Sequence, residues 1–195
     1  MKITAIEAIP FAIPYVKPLK FASGEVHTAD HVLVRVHTDD GVIGVAEAPP
    51  RPFTYGETQT GIIAVIEQLF APALIGLTLL EREVVNGRLA RTVGNPAAKS
   101  AVDMAIWDAL GRTLQLPVTS MLGGFTDRMR VSHMLGFSDP AAMIAEAEKV
   151  RDQHGINVFK VKVGRRPVTL DTAVVRALRD RFGDSVELYV DANRG

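Results

Sequence analysis

From residue 128 onward the chain alternates β-type and helix-type segments, and that alternation leaves few folds open. "RMRVSHMLGF", "INVFKVKVG" and "VELYVDAN" are short runs rich in strand formers. "DPAAMIAEAEKVRDQHG" and "PVTLDTAVVRALRDRFG", which separate them, carry helical patterns. Asp139 stands as an N-cap with Pro140 at the first helical position, and Gly183 closes the second helix. Strand-helix-strand-helix-strand at this spacing predicts parallel βαβ units, because parallel strands need a crossover.

The preceding residues follow another pattern. Ile3 to Ile13 alternates like a strand, and "HVLVRVHTDDGVIGVAEA" is two β-branched runs around Asp39-Asp40-Gly41, a hairpin signal. Between them "VKPLKFASGEVHTAD" reads as a loop, and "PPRPFTYGE" as a second. Three helices are expected next, over "TQTGIIAVIEQLFAPAL", "LEREVVNGRLART" and "NPAAKSAVDMAIWDALGRTLQL". Asn95 is the expected cap of the last, with Pro96 at its first position. Its Ala101, Met104, Ala105, Trp107 and Ala109 form a small-residue-rich pattern suited to close packing. The architecture is an α+β module followed by the start of a parallel α/β domain.

Charge narrows the partners. Acidic and basic residues balance at 22 each, without a basic stripe or like-charge run. Nucleic acid and anionic membrane are therefore poor partners. The absence of cysteine removes disulfides, thiolate nucleophiles and cysteine zinc sites, and suits a reducing cytoplasm. "MKITAIEAIPFAIP" has no long apolar core or small-residue cleavage site, and no run is long enough to span a bilayer. A cytoplasmic protein is expected.

The chemistry-bearing residues lie late in the chain. In "VFKVKVG", Val158, Lys160 and Lys162 share one strand face, and Phe159, Val161 and Val163 the other. Such a strand can simply turn its lysines to water. In a parallel α/β fold both faces are usually covered, which would put the lysines in the interior or along a cavity. Mutual repulsion and desolvation then disfavour the charged form and make a lysine base plausible. Asp191 ends the next strand, where an acid serves either a turn or a hard cation such as Mg²⁺. Asn193 could orient Asp191, touch substrate or make the turn. A single carboxylate is not a metal site. His31, His37, His133 and His154 show no pairing that demands a metal.

"FKVKVG" and, one helix later, "YVDANRG" resemble the K-x-K and D-x-N elements of the enolase superfamily, muconate lactonizing subgroup. "AKSAVDMAIWDALGRTLQLPVTSMLGG" and "GVIGVAEAPP" resemble its capping-domain helix and the strand before its substrate-covering loop. The resemblance implies an α+β capping domain over residues 1–125, then the first three β/α units of a TIM-type (β/α) barrel over 126–195. It implies Lys162 as general acid/base, Lys160 beside it near the substrate carboxylate, and Asp191 as first ligand of Mg²⁺, with Mn²⁺ as substitute. Substrate contacts would come from Asn193 and from Lys20, His27, Arg51 or Tyr55 in the two loops. The implied reaction is an isomerase step of aromatic catabolism on a small carboxylate substrate, muconate cycloisomerisation first. Dipeptide epimerase, N-acylamino acid racemase and o-succinylbenzoate synthase are the alternatives within the family. Ser23 and Gly24 offer no cation for a peptide carboxylate, which weighs slightly against the first of these. The family tends to homo-oligomers. A full barrel needs about 250 residues, so these residues read as part of a larger enzyme, inactive alone. The family's further metal ligands and opposing lysine lie on later strands. A non-catalytic half-barrel is the reading from another class.

Overall fold

The computed structural model describes residues 1–21 and 24–192; the side chains of Lys20 and Phe21 lie outside the description. The chain forms two compact units, Met1–Pro14 with Thr28–Phe125, and Tyr15–His27 with Thr126–Gly195. The segment Tyr15–His27, expected with the N-terminal module, therefore groups with the second unit. Among the described residues no helix is long and apolar enough to cross a membrane.

Strands β1 (Ile3–Phe21), β2 (Gly24–Thr38) and β3 (Ile43–Ala48) form a sheet in the order β1-β2-β3. β2 and β3 pair antiparallel from Val32↔Ala48 to His37↔Ile43, joined by the expected turn, with Gly41 at φ 80°. The Val16–Asp30 stretch is a correction to the sequence reading: most of it is strand, not loop. Its one proline, Pro18, reads as a loop signal, yet within sheets proline is tolerated on edge strands, and β1 is one. Alternation in β1 also holds only in part, since Ile6 and Ala8 are buried while Ile9 and Ile13 are exposed.

Val32, Val34 and Val36 of β2 are fully buried, each contributing about 1.5–3 kcal/mol by leaving water. Their core also takes Ile62, Ile66, Phe70 and Leu74 from a helical run. That run is α1 (Gln59–Val65), a wider π-type turn (Ile66–Phe70) and α2 (Ala71–Leu74). The wide turn ends two residues before Pro72, which has no amide to continue a regular ladder. α3 (Arg82–Leu89) adds Val85 and Leu89. α4 (Pro96–Leu114) turns Ala98, Ala101, Ala105 and Ala109 inward, and Met104 outward. The small residues allow close approach: a Cβ on Gly44 of β3 would stand 2.0 Å from the Ala105 carbonyl oxygen.

Asn95 does not cap α4. It lies in the left-handed region, and its side-chain amide donates to the Val93 carbonyl. The buried Glu57 accepts instead from the amides of Ala97 at 2.7 Å and Ala98 at 3.1 Å. A carboxylate on exposed helical amides satisfies both hydrogen bonding and the helix dipole. The short helix α5 (Val118–Met121) follows.

The second unit carries β4 (His133–Leu135), α6 (Pro140–His154), β5 (Val158–Lys162), α7 (Thr169–Phe182) and β6 (Glu187–Asp191). The strands are parallel in the order β4-β5-β6. Asp139 caps α6 by accepting from the Ala142 amide at 3.0 Å, and Gly183 ends α7 at φ 55°, both as expected. Leu135, Phe159 and Val161 bury one sheet face against Met143, Ala147, Val174 and Leu178. Phe159 stacks on Phe182 with centroids 6.3 Å apart.

Candidate active site

β5 is the central strand, so both its edges are hydrogen-bonded and its side chains are held in fixed register. With Phe159 and Val161 committed to the core, the pleat puts Lys160 and Lys162 on the opposite face. Parallel register then sets Lys160 beside Tyr189 and Lys162 beside Asp191. Both ammonium nitrogens lie 2.8 Å from the same oxygen, Asp191 Oδ2. Lys162 is 5% exposed; Lys160 and Asp191 are partly open to solvent. The Val163 amide donates to the Asp191 carbonyl at 3.1 Å and carries the ladder past the pair. Lower on the strands, the Tyr189 and Ser132 hydroxyls meet at 2.7 Å.

Two ammonium groups around one carboxylate leave a local excess of positive charge at the carboxyl ends of parallel strands. Positive charge so placed can attract an anion and stabilise negative charge that develops beside it. It also orients Asp191. Mg²⁺ takes about six hard oxygen ligands, commonly one or two carboxylates with water and substrate. Asp191 is a fitting single ligand, but among the described residues no three His, Asp or Glu side chains converge. The described residues thus supply one carboxylate and do not by themselves build a cation site.

His27 is exposed and stands 3.8 Å from Glu25. Tyr55 belongs to the first unit, where it lines a cleft of about 570 Å³ with His31, Glu47, Pro49 and Met104. Arg51 builds its own loop: its carbonyl accepts from the amides of Thr54, Tyr55 and Gly56, and its guanidinium donates to Pro50. Asn193 and the Lys20 side chain lie outside the described residues. His31, His37 and His133 each pair with one carboxylate, of Glu47, Glu7 and Glu146 respectively.

Sequence reasoning missed Asp171, read only as part of a helical pattern. Its Oδ2 accepts from the amides of Gly164 at 2.7 Å and Arg165 at 2.9 Å, and its Oδ1 from Arg165 Nε at 2.6 Å. Burial alone pushes this carboxyl up; the Arg165 hydrogen bond and the two amides outweigh it and hold Asp171 below its ordinary value. An acid in the first turn after a strand-loop-helix junction is the one signal that could have pointed to it.

Two family models match the chain: the mandelate racemase / muconate lactonizing enzyme N-terminal domain over residues 5–123, and the enolase C-terminal domain-like family over 142–195. The L-Ala-D/L-Glu epimerase of Bacillus subtilis (strain 168) is 36% identical across the whole chain, which covers 53% of that protein. A muconate lactonizing enzyme from Mucobacterium Smegmatis, solved in complex with muconolactone, superimposes with a TM-score of 0.96 at 78% identity. That alignment covers 100% of this chain and 53% of the other. A dipeptide epimerase from Enterococcus faecalis V583, solved with Mg and the dipeptide L-Leu-L-Tyr, gives a TM-score of 0.90 at 32% identity, over 99% of this chain and 54% of its own. The chain spans about half the length of the curated relatives it matches. Matched along both its segments, the chain belongs to the mandelate racemase / muconate lactonizing enzyme family of the enolase superfamily and corresponds to the N-terminal half of its members.

Proposed function

We propose that the protein carrying this chain is a muconate cycloisomerase, lactonising cis,cis-muconate to muconolactone. The observation that carries the chemistry is the pair of ammonium groups, each 2.8 Å from Asp191 Oδ2, on one face of a parallel sheet. Muconate is favoured over a dipeptide by the 78% identity to a muconate lactonizing enzyme, against 36% to the epimerase. In the reaction one substrate carboxylate oxygen bonds to an alkene carbon. The displaced electron pair moves to the carbon beside the other carboxylate and gives an enolate. Lys162 donates its proton to that carbon, and Lys160 holds the substrate carboxylate by charge. Mg²⁺, or Mn²⁺ in its place, would neutralise the developing negative charge, with Asp191 as one ligand.

The same reading takes residues 1–125 as a capping domain and 126–195 as the first three β/α units of a TIM-type barrel, whose sites lie at the carboxyl ends of strands. Lys20, His27, Tyr55 and Asn193 remain its candidate substrate contacts.

The test is turnover of cis,cis-muconate by the full-length protein and its Lys162→Ala variant. Loss of a positioned acid costs about 10²–10⁴-fold, so the variant should fall by that much while keeping its circular dichroism. Near-normal turnover in the variant removes Lys162 from the role. A wild-type protein that epimerises L-Ala-L-Glu and leaves muconate untouched establishes the epimerase alternative. No turnover of either substrate favours the non-catalytic reading.

A further inference from the structure

We propose that Asp171 and Arg165 form a positioning clamp that fixes the carboxyl end of β5, and with it the placement of Lys162 against Asp191. The inference rests on the lysine pair being the working site.

β5 ends at Lys162, and the chain leaves the sheet through Val163, Gly164 and Arg165. Gly164 has φ 120°, a backbone conformation that a side chain would strain, so the exit turns sharply there. Asp171, the third residue of α7, is 5% exposed and takes up both amides after the turn with one oxygen. A cap needs no more than that. The second oxygen does something else: it accepts from Arg165 Nε and orients the guanidinium, whose Nη2 donates to the Leu170 carbonyl of α7 at 3.4 Å. Arg165 Nη1 then donates to the Ser138 carbonyl at 2.8 Å, and the group lies over the Phe137 ring at 5.3 Å. Phe137 and Ser138 belong to the loop that follows β4 and precedes the Asp139 cap of α6.

One buried carboxylate and one guanidinium therefore join α7, the loop after β5 and the loop after β4. Both loops leave their strands at the end where Lys162 and Asp191 meet. Lys162 is only two residues from the first clamped amide, so slack in that loop becomes displacement of its ammonium group. A shift of about 1 Å is enough to cost 10²-fold where reacting groups must be aligned. Asp171 and Arg165 are positioning residues in this reading; neither touches the reacting atoms.

The experiment is trace acetylation of the full-length protein, with each lysine's rate read by mass spectrometry, in wild type, Asp171→Asn and Arg165→Gln. Lys99 of the first unit is the internal reference. The clamp predicts a several-fold rise at Lys162 relative to Lys99 in both variants, with circular dichroism unchanged. Arg165→Gln leaves Asp171 its two amides, so it reports on positioning even if Asp171→Asn fails to fold. An unchanged Lys162 rate in folded Arg165→Gln overturns the proposal. The readout needs no turnover: a labelling rise alongside an active Lys162→Ala enzyme would keep the clamp and discard the functional reading, and the converse pattern would do the reverse. In an active enzyme the clamp further predicts that kcat falls while KM stays close to wild type; a change in KM alone also overturns it.

Discussion

Asp171 makes a pH-dependent contribution to stability, and its sign follows from the direction of its shift. Its carboxyl is held below its ordinary value in the folded state, by Arg165 and two amides acting against burial. Such a group stabilises fully above its unfolded pKa of about 3.9, and the contribution disappears as pH falls through the lower folded value. Replacing it with Asn leaves one oxygen for three donors and should cost about 1–3 kcal/mol at neutral pH. Urea unfolding should show that gap between wild type and Asp171→Asn constant down to about pH 4 and narrowing below it. A gap that widens in acid would contradict the assignment. Legibility at this scale was uneven. Lys160, Lys162 and Asp191 could be named because strand periodicity sets faces from local order. Asp171 could not, since two of its three donors are backbone amides, which carry no residue signature.

At the scale of elements, α4 illustrates both what local sequence says and what it omits. Asn95-Pro96 is a good starting signal and does mark where the helix begins, but the cap comes from Glu57, some forty residues upstream. Glu57→Ala should cost about 0.5–2 kcal/mol in urea unfolding, the usual range for a lost N-cap, and Glu57→Gln less because one acceptor survives. The helix is equally sensitive at its inner face. A methyl on Gly44 would meet the Ala105 carbonyl oxygen at 2.0 Å and the Ala109 amide nitrogen at 2.5 Å, both backbone atoms that cannot rotate away. Gly44→Ala should therefore cost about 3 kcal/mol or more, at the upper end of overpacking, with a lowered Tm as the readout. A Gly44→Ala protein of wild-type stability would mean that α4 and β3 pack less closely than described. The long strands β1 and β2 belong to the same lesson. Pro18 reads as loop punctuation in isolation, and an edge position in the sheet absorbs it.

At the scale of the molecule, the two units have cores with no residue in common. Phe159 fills the second, fully buried against Phe182. Phe159→Ala should destabilise by about 3–5 kcal/mol. Hydrogen exchange should show protection lost across β5, α6 and α7, while the amides of α1 and α4 keep theirs; equal loss in both units would mean that they unfold as one. The sequence by itself determined the alternation of strands and helices, the hairpin, the caps at Asp139 and Gly183, and the face on which the two lysines stand. Each of these depends on neighbours within a few residues, through backbone sterics and the period of the element. The tertiary structure decided the rest: that both lysines meet one oxygen of Asp191, that Glu57 rather than Asn95 caps α4, and that Asp171 binds the exit of β5. The first two join residues far apart in the chain and the third spans a loop with no period of its own, and which polar groups meet is settled only when burial removes water as the competing partner.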